Sequence, residues 1–215
     1  MAGDVLYTLE QQVNPEHAAL ILIDVQNDFC HPDGYMGRIG SDVSMARRMV
    51  PRLTEHVEAA RRVGATVVFV QVIMDDQFLS NANRALDARR GVNPKIRCQS
   101  NSWGAEFYEL KMLPSDVLVV KHHYSAFPDT NFDLILRNRG IKTLIMTGVA
   151  TNVCVESTAR DGFFKGYYIV FLSDCSATYS EEAHHATLAT IHRQFGTVCT
   201  ADEVEAVWQR RLVGG

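Results

Sequence analysis

Five short apolar runs constrain this chain most. Ala18–Ile23 (AALILI), Thr66–Ile73 (TVVFVQVI), Asp116–Val120 (DVLVV), Thr143–Met146 (TLIM) and Tyr168–Leu172 (YIVFL) are too brief for helices. They are rich in branched side chains and lack alternation, the pattern of parallel strands covered on both faces. Gly196–Thr200 is a weaker sixth candidate. Between the runs, helical spacing covers Ser44–Val63, Thr130–Arg139, Asn152–Lys165, Glu181–Phe195 and Asp202–Leu212. The first four stop at Gly64, Gly140, Gly166 and Gly196, and glycine is the usual left-handed end of a helix. Strand, helix, glycine, strand is the rhythm of right-handed crossovers. It predicts an α/β protein, a three-layer α/β/α Rossmann-like fold with a mainly parallel sheet of about six strands. No repeat, linker or low-complexity tract interrupts the 215 residues, so a single domain over 1–215 is expected.

Composition removes several function classes. At 47% apolar and 21% charged residues, disorder is excluded. Lys and Arg number 21 against 25 Asp and Glu, a net charge of -4, which offers no basic surface for nucleic acid or anionic lipid. No apolar run approaches the ~18 residues of a membrane span. The opening MAGDVLYTLEQQ lacks the basic-then-apolar order of a secretion signal. Cys30, Cys98, Cys154, Cys175 and Cys199 are scattered and contain no C-x-x-C pair. That argues against a disulfide framework or structural zinc and for a cytoplasmic protein.

Two segments break the rhythm. Val25–Asp42 is polar and Gly-containing. Met74–Trp103 carries Arg84, Arg89, Arg90, Lys95 and Arg97 and shows no clear strand. Long connections are usually functional or covering elements, and both follow strands whose carboxyl ends are where open α/β sheets bind ligands.

Three chemically useful residues fall at strand ends. Asp24 closes the first run, Lys121 closes the third, and Cys154 opens the helix after the fourth, in TGVATNVC. A free thiol near pKa ~8.5 is mostly protonated at neutral pH, and only the thiolate attacks. Thr151 or Asn152 is placed to cap the helix, which would put Cys154 in a first turn whose unpaired N–H groups favour an anion. Lysine would add to that, predicting a sulfur held ionised. A nearby carboxylate would take the thiol proton and return it to a leaving amine. Acid, base and thiol together therefore match nucleophilic acyl transfer.

These segments resemble the isochorismatase-like cysteine hydrolase family over nearly the whole chain, from LILIDVQNDF through VVKHHYSAF to TGVATNVCVESTARDGFF. The resemblance implies Asp24 as general acid/base, Lys121 as charge-stabilising partner and Cys154 as nucleophile. It also implies a cis peptide at Val149–Ala150 that turns the Ala150 and Cys154 N–H groups toward the oxyanion, and a strand order of 3-2-1-4-5-6. That order sets the Lys121 strand roughly 10 Å from the Asp24 strand, a gap that lysine reach must close. The family is commonly dimeric or tetrameric, so a homo-oligomer is expected.

Within the family, isochorismatase proper replaces the cysteine, which Cys154 opposes. Nicotinamidases carry a metal-binding Asp-x-His with further histidines after the second strand, but no histidine occurs from Val57 to Lys121. No metal or other cofactor is therefore expected, and His122 and His123 are expected to order their loop, with His123 near the pocket. His184, His185 and His192 read as surface or packing residues. Gly34-Tyr35, Tyr124–Phe127 and the stretch from Ala150 to Phe164 are most similar to ureidoacrylate amidohydrolases, with biuret, triuret and N-carbamoyl amino acid hydrolases as alternatives. The expected partner is a small-molecule ureide, lined by Gln26, Asn27, Tyr35, Trp103, Tyr124 and Phe127. For the basic middle segment, a substrate carboxylate competes with a solvated face.

Other readings remain from the residues alone. Cys154 and Arg160 spell the C-x5-R of cysteine phosphatases, but Glu156 would repel a phosphate and the segment reads as helix. Gln26 stands where an aspartyl phosphatase starting at Asp24 needs its second acid. A catalytically silent scaffold of the same fold is the alternative of another class.

Overall fold

In the computed structural model, which describes residues 5–91 and 97–214, the apolar runs form one six-stranded sheet. Lys95 lies outside the described residues. In chain order the elements are α1 (Leu9–Gln12), β1 (Ala18–Ile23), α2 (Asn27–Cys30), α3 (Tyr35–Arg38), α4 (Ser44–Arg62), β2 (Thr66–Val72), α5 (Asn81–Arg90) and β3 (Val117–Lys121). They continue as α6 (Phe132–Asn138), β4 (Thr143–Val149), α7 (Glu156–Phe164), β5 (Tyr168–Ala177), α8 (Glu181–Gln194), β6 (Thr197–Cys199) and α9 (Ala201–Gly214). The order across the sheet is β3-β2-β1-β4-β5-β6 and every pairing is parallel. This is the expected α/β architecture, and the strand order is the one that the resemblance implies.

β1 shows why its run carries no polar residue. Ala18, Leu20 and Leu22 pack with α4 and α9 residues such as Leu53, Val57 and Val204. Ala19, Ile21 and Ile23 point to the other layer, among Phe132, Leu136, Ala159 and Ile191. Successive side chains alternate faces, and both faces are covered, so all six positions are buried.

Several boundaries differ from the sequence reading. Gly64, Gly140 and Gly166 have φ of 75°, 68° and 90°, the expected left-handed stops. Gly196 does not adopt a positive φ. Glycine is needed there because a Cβ would stand 2.1 Å from the Ile169 carbonyl oxygen. The middle segment is not structureless. Its α5 helix is capped by Ser80, whose Oγ accepts from the Asn83 N–H. Polar composition hid that helix, which contributes one buried residue, Asp87. β5 runs five residues past Leu172. Its register against β4 shifts between Met146, opposite Phe171, and Gly148, opposite Ser176. Among the described residues no helix is long and apolar enough to cross a membrane.

Candidate active site

β1, β3 and β4 deliver their carboxyl ends to one edge of the sheet. Asp24, just past β1, has φ of 51°, a left-handed conformation that aspartate tolerates better than most residues. Its N–H still bonds the Val70 carbonyl at 3.0 Å, so the chain leaves the sheet at this residue. Lys121 ends β3, two strands away, and spans the gap. Its Nζ donates to Asp24 Oδ2 at 2.7 Å and to the carbonyls of His123 and Tyr124, both at 2.9 Å. Three acceptors match the three N–H donors of an ammonium. Both side chains are buried, at 0% and 1% exposure.

Cys154 completes the group from the far side of β1. The Val149–Ala150 peptide bond is cis, and the chain then enters a π-helical turn over Thr151–Val155 that leads into α7. Ala150 is the N-cap and no side chain caps this end, which corrects the expectation for Thr151 and Asn152. Thr151 Oγ1 instead pairs with His184 Nδ1 at 3.0 Å. Asn152 Oδ1 accepts from Thr178 Oγ1 at 2.6 Å. Both hydroxyl contacts tie the turn to α8 and to the end of β5, so the turn is held from outside rather than by a cap.

The electrostatics correct one expectation. Cys154 is not held ionised. Burial pushes its thiol up to about 12, and the lowering by Lys121 is opposed by the Asp24 carboxylate. Burial also raises Asp24, against the pull of Lys121. Burial pulls Lys121 down, but its pairing and hydrogen bond with Asp24 outweigh that and hold it above its usual value. A thiol that resists ionisation thus sits beside the Lys121–Asp24 pair. Asp24 Oδ1 is buried and has no hydrogen-bond partner, so the carboxylate retains one unused acceptor in this group.

A cavity of about 410 Å3 opens over the sulfur, within the size range of small-molecule sites. Cys154 borders it, while Asp24 and Lys121 lie beneath. The sequence-proposed lining residues divide. Tyr124 borders the cavity. Tyr35 borders a second cavity next to it. Gln26, Asn27, Trp103 and Phe127 border neither. Gln26 is fully buried and acts as a brace: its amide nitrogen donates to the Val72 and Ala105 carbonyls at 3.0 and 2.9 Å, and its oxygen accepts from Val72 N–H at 2.8 Å. Asn27 Nδ2 donates to the Trp103 carbonyl at 2.8 Å, holding the segment that leaves the Trp103 ring 46% exposed. Phe127 packs in the core against Phe132 and Tyr167.

Both neighbouring histidines border the cavity. His122 Nδ1 lies 2.8 Å from the Ile73 carbonyl and the ring stacks on Phe78 at 3.6 Å. A carbonyl accepts only, so Nδ1 carries the proton. His123 Nε2 pairs with Asp129 at 3.0 Å. Among the described residues no group of three or more His, Cys, Asp or Glu side chains is placed to hold a metal ion. Arg160 is held by Glu156 at 2.6 and 2.9 Å and lies over the Phe195 ring. It does not turn toward Cys154, and no phosphate cradle forms around the C-x5-R spacing.

Sequence reasoning missed Tyr179, which borders both cavities and donates weakly to the Phe29 carbonyl at 3.3 Å. The signal lay in the length of β5. Had Ser173–Ala177 read as strand, Tyr179 would fall at the same sheet edge as the other three residues.

The chain matches the family model of the isochorismatase domain over residues 18–203. Among solved structures, it is 28% identical to a cysteine hydrolase from Pseudomonas syringae pv. phaseolicola, with 98% of this chain and 99% of that one covered and a TM-score of 0.82. It is 27% identical to the N-carbamoylsarcosine amidase of Thermoplasma acidophilum, covering 86% and 97% with a TM-score of 0.70. It is also 27% identical to a nicotinamidase from Bacillus subtilis, covering 85% and 98% with a TM-score of 0.71.

Proposed function

This chain belongs to the isochorismatase family, and from that premise we propose that it is a cysteine-dependent amidohydrolase cleaving a C–N bond of a small linear ureide, of the ureidoacrylate type. The observation that carries this reading is the buried Lys121–Asp24 pair at 2.7 Å beneath a thiol that alone reaches the cavity. A pair so placed supports proton transfer at the sulfur.

In the proposed cycle, Asp24 takes the Cys154 proton as the sulfur attacks the ureido carbonyl carbon. A C–S bond forms and the carbonyl electrons move to oxygen, which the Ala150 and Cys154 N–H groups receive. Lys121 remains protonated and offsets the growing negative charge. The tetrahedral species then expels nitrogen, which leaves as an amine after taking the proton back from Asp24. Water, deprotonated by Asp24, attacks the thioester and releases the carbamate or acid with the thiol restored. The raised affinity of Asp24 for protons suits it to both directions of this transfer.

Ammonia release from ureidoacrylate, biuret, triuret, N-carbamoyl amino acids and nicotinamide tests the proposal. Turnover of one or more ureides by the native chain, lost in Cys154→Ala, is expected. Turnover that survives Cys154→Ala, or no release from any ureide, overturns it in favour of another chemistry or of a silent scaffold.

A further inference from the structure

The turn that carries Cys154 keeps the N–H group of that residue out of the contact that closes it. The N–H groups of Val153 and Val155 both donate to the Ala150 carbonyl, at 3.0 and 3.2 Å. A carbonyl oxygen has two lone pairs, so this acceptor is filled from either side of Cys154, and the N–H of Cys154 has no share in it. Such a turn presents a donor only if its start is held still, and no side chain caps it. The hold comes from the next residue. Thr151 is 0% exposed, and its Oγ1 lies 3.0 Å from Nδ1 of His184, on α8.

His184 is itself fixed. The side chain is 7% exposed, and its backbone N–H bonds the Ser180 carbonyl at 3.0 Å in the capped first turn of α8. Burial, with the neighbouring His185, holds the ring below its ordinary 6.5, so at neutral pH it is an uncharged imidazole. Such a ring offers one donor and one acceptor, and a hydroxyl is both, so the contact closes without burying a charge. Replacing both members of a hydrogen-bonded pair by apolar groups of the same shape is nearly neutral for stability. Stability therefore does not account for this pair. What the bond adds is direction, at the residue that joins Ala150 to the turn. Ala150 and Cys154 border the cavity, whereas Thr151 and His184 border neither it nor the one beside it. Any effect of the pair on turnover must pass through the turn.

We propose that Thr151 and His184 are positioning residues of the hydrolysis: their hydrogen bond fixes the start of the turn so that the Ala150 and Cys154 N–H groups meet on the oxyanion. The inference rests on the thiol acyl-transfer reading above and is indifferent to which ureide or amide is cleaved.

The test is kinetic, on whichever compound of the panel above the native chain turns over fastest. Thr151→Val removes the hydroxyl at constant shape. It is expected to lower kcat by about tenfold with KM little changed, short of the roughly 10²–10³-fold lost when an oxyanion donor is deleted outright. Thr151→Ser returns the hydroxyl and should recover most of kcat. His184→Phe approaches the same bond from α8 and keeps a ring there. It should slow turnover as Thr151→Val does, and the double variant should be no slower than either single one. Melting curves give the folded fraction of each variant. A kcat per folded molecule left intact by Thr151→Val and His184→Phe, or a Thr151→Ser enzyme as slow as Thr151→Val, makes the pair a structural tie and overturns the inference. Failure of the hydrolase reading shows separately, as no turnover of any compound of the panel. In that case the turn is probed with isotope-labelled acetaldehyde followed by carbon NMR. Cys154 adds across its carbonyl, sulfur to carbon and thiol proton to oxygen, and the same N–H groups receive that oxygen. A thiohemiacetal that is absent in Cys154→Ala and about tenfold weaker in Thr151→Val retains the inference, and equal affinity or no adduct ends it.

Discussion

The buried Asp24–Lys121 pair and the partly exposed charge cluster around Glu205 differ in what they leave open. At the carboxyl edge of the sheet, Lys121 spends all three protons, but Asp24 keeps one oxygen without a partner beside a thiol that borders a cavity. Between α4 and α9, Glu205 Oε1 accepts from Arg52 at 2.9 Å and pairs with His56 at 2.8 Å. Arg52 also reaches Asp202 at 2.7 Å, and the His56 ring stacks on Trp208 at 5.0 Å. His56 Nε2 lacks a partner too, but the small cleft nearby is bordered by Glu205 and Trp208 and not by His56. Both clusters join elements distant in sequence. Burial of charge therefore does not separate site from scaffold. What separates them is that a thiol beside one of them borders a cavity large enough for a small molecule.

Substitution should break the comparison most visibly in turnover. Cys154→Ala is expected to reduce ureide hydrolysis to background, and Asp24→Asn to lower kcat by about 10²–10⁴-fold, the range of a general base. Glu205→Gln should leave kcat per folded molecule unchanged. Steady-state rates with circular dichroism on each variant check this. A Glu205→Gln enzyme slower than Asp24→Asn would exchange the two roles.

Next in size is stability. Lys121→Met leaves Asp24 buried without its counter-charge, and removing one partner of a buried pair costs about 3–5 kcal/mol. Adding Asp24→Asn should recover part of that loss. Urea denaturation of both single variants and the double variant measures the coupling, and strictly additive losses would mean that the two side chains do not depend on each other. Glu205→Gln keeps the shape and one acceptor and reaches solvent at 20% exposure, so a smaller loss of about 1–2 kcal/mol is expected by the same measurement.

The sequence makes the sheet edge legible but not depth below it. A parallel sheet sends every carboxyl end the same way, so Asp24, Lys121 and Cys154 can be gathered from strand order alone. Whether a polar side chain at that edge faces the ligand or the frame depends on contacts from distant segments. Gln26 braces Val72 and Ala105, which are 46 and 79 residues away, and nothing in its neighbours' identity announces it. Phe127 and Trp103 are both aromatic, yet one is core and the other half exposed. The thiol shows the same limit: its neighbours are legible, but the balance of burial, lysine and carboxylate that keeps it protonated is a property of distances. α5 was hidden because its single buried side chain leaves no apolar period to detect.

The smallest effects, in the pH dependence of stability, sharpen the comparison because the two clusters have opposite signs. Burial raises Asp24 above its ordinary 3.8, so the folded chain binds that proton more tightly than the unfolded one. Its contribution is present below 3.8 and is lost as pH rises through the folded value. Burial lowers His56 from 6.5, and Glu205 is held below 4.5 because the hydrogen bonds from His56 and Arg52 outweigh its own burial. Those contributions are present above the ordinary values and lost as pH falls through the lower folded ones. One proton changes the slope by at most about 1.4 kcal/mol per pH unit. Below pH 6.5 the native chain should lose stability, and His56→Phe, which keeps a ring against Trp208, should lose it less steeply. Asp24→Asn removes the one opposing contribution, so its acid limb should be steeper than that of the native chain. Urea midpoints taken at half-unit steps between pH 4 and 8 decide the matter. A His56→Phe slope equal to the native one would place the acid sensitivity elsewhere, and an unchanged Asp24→Asn slope would mean that the Lys121 charge, not burial, sets the affinity of that carboxylate for protons.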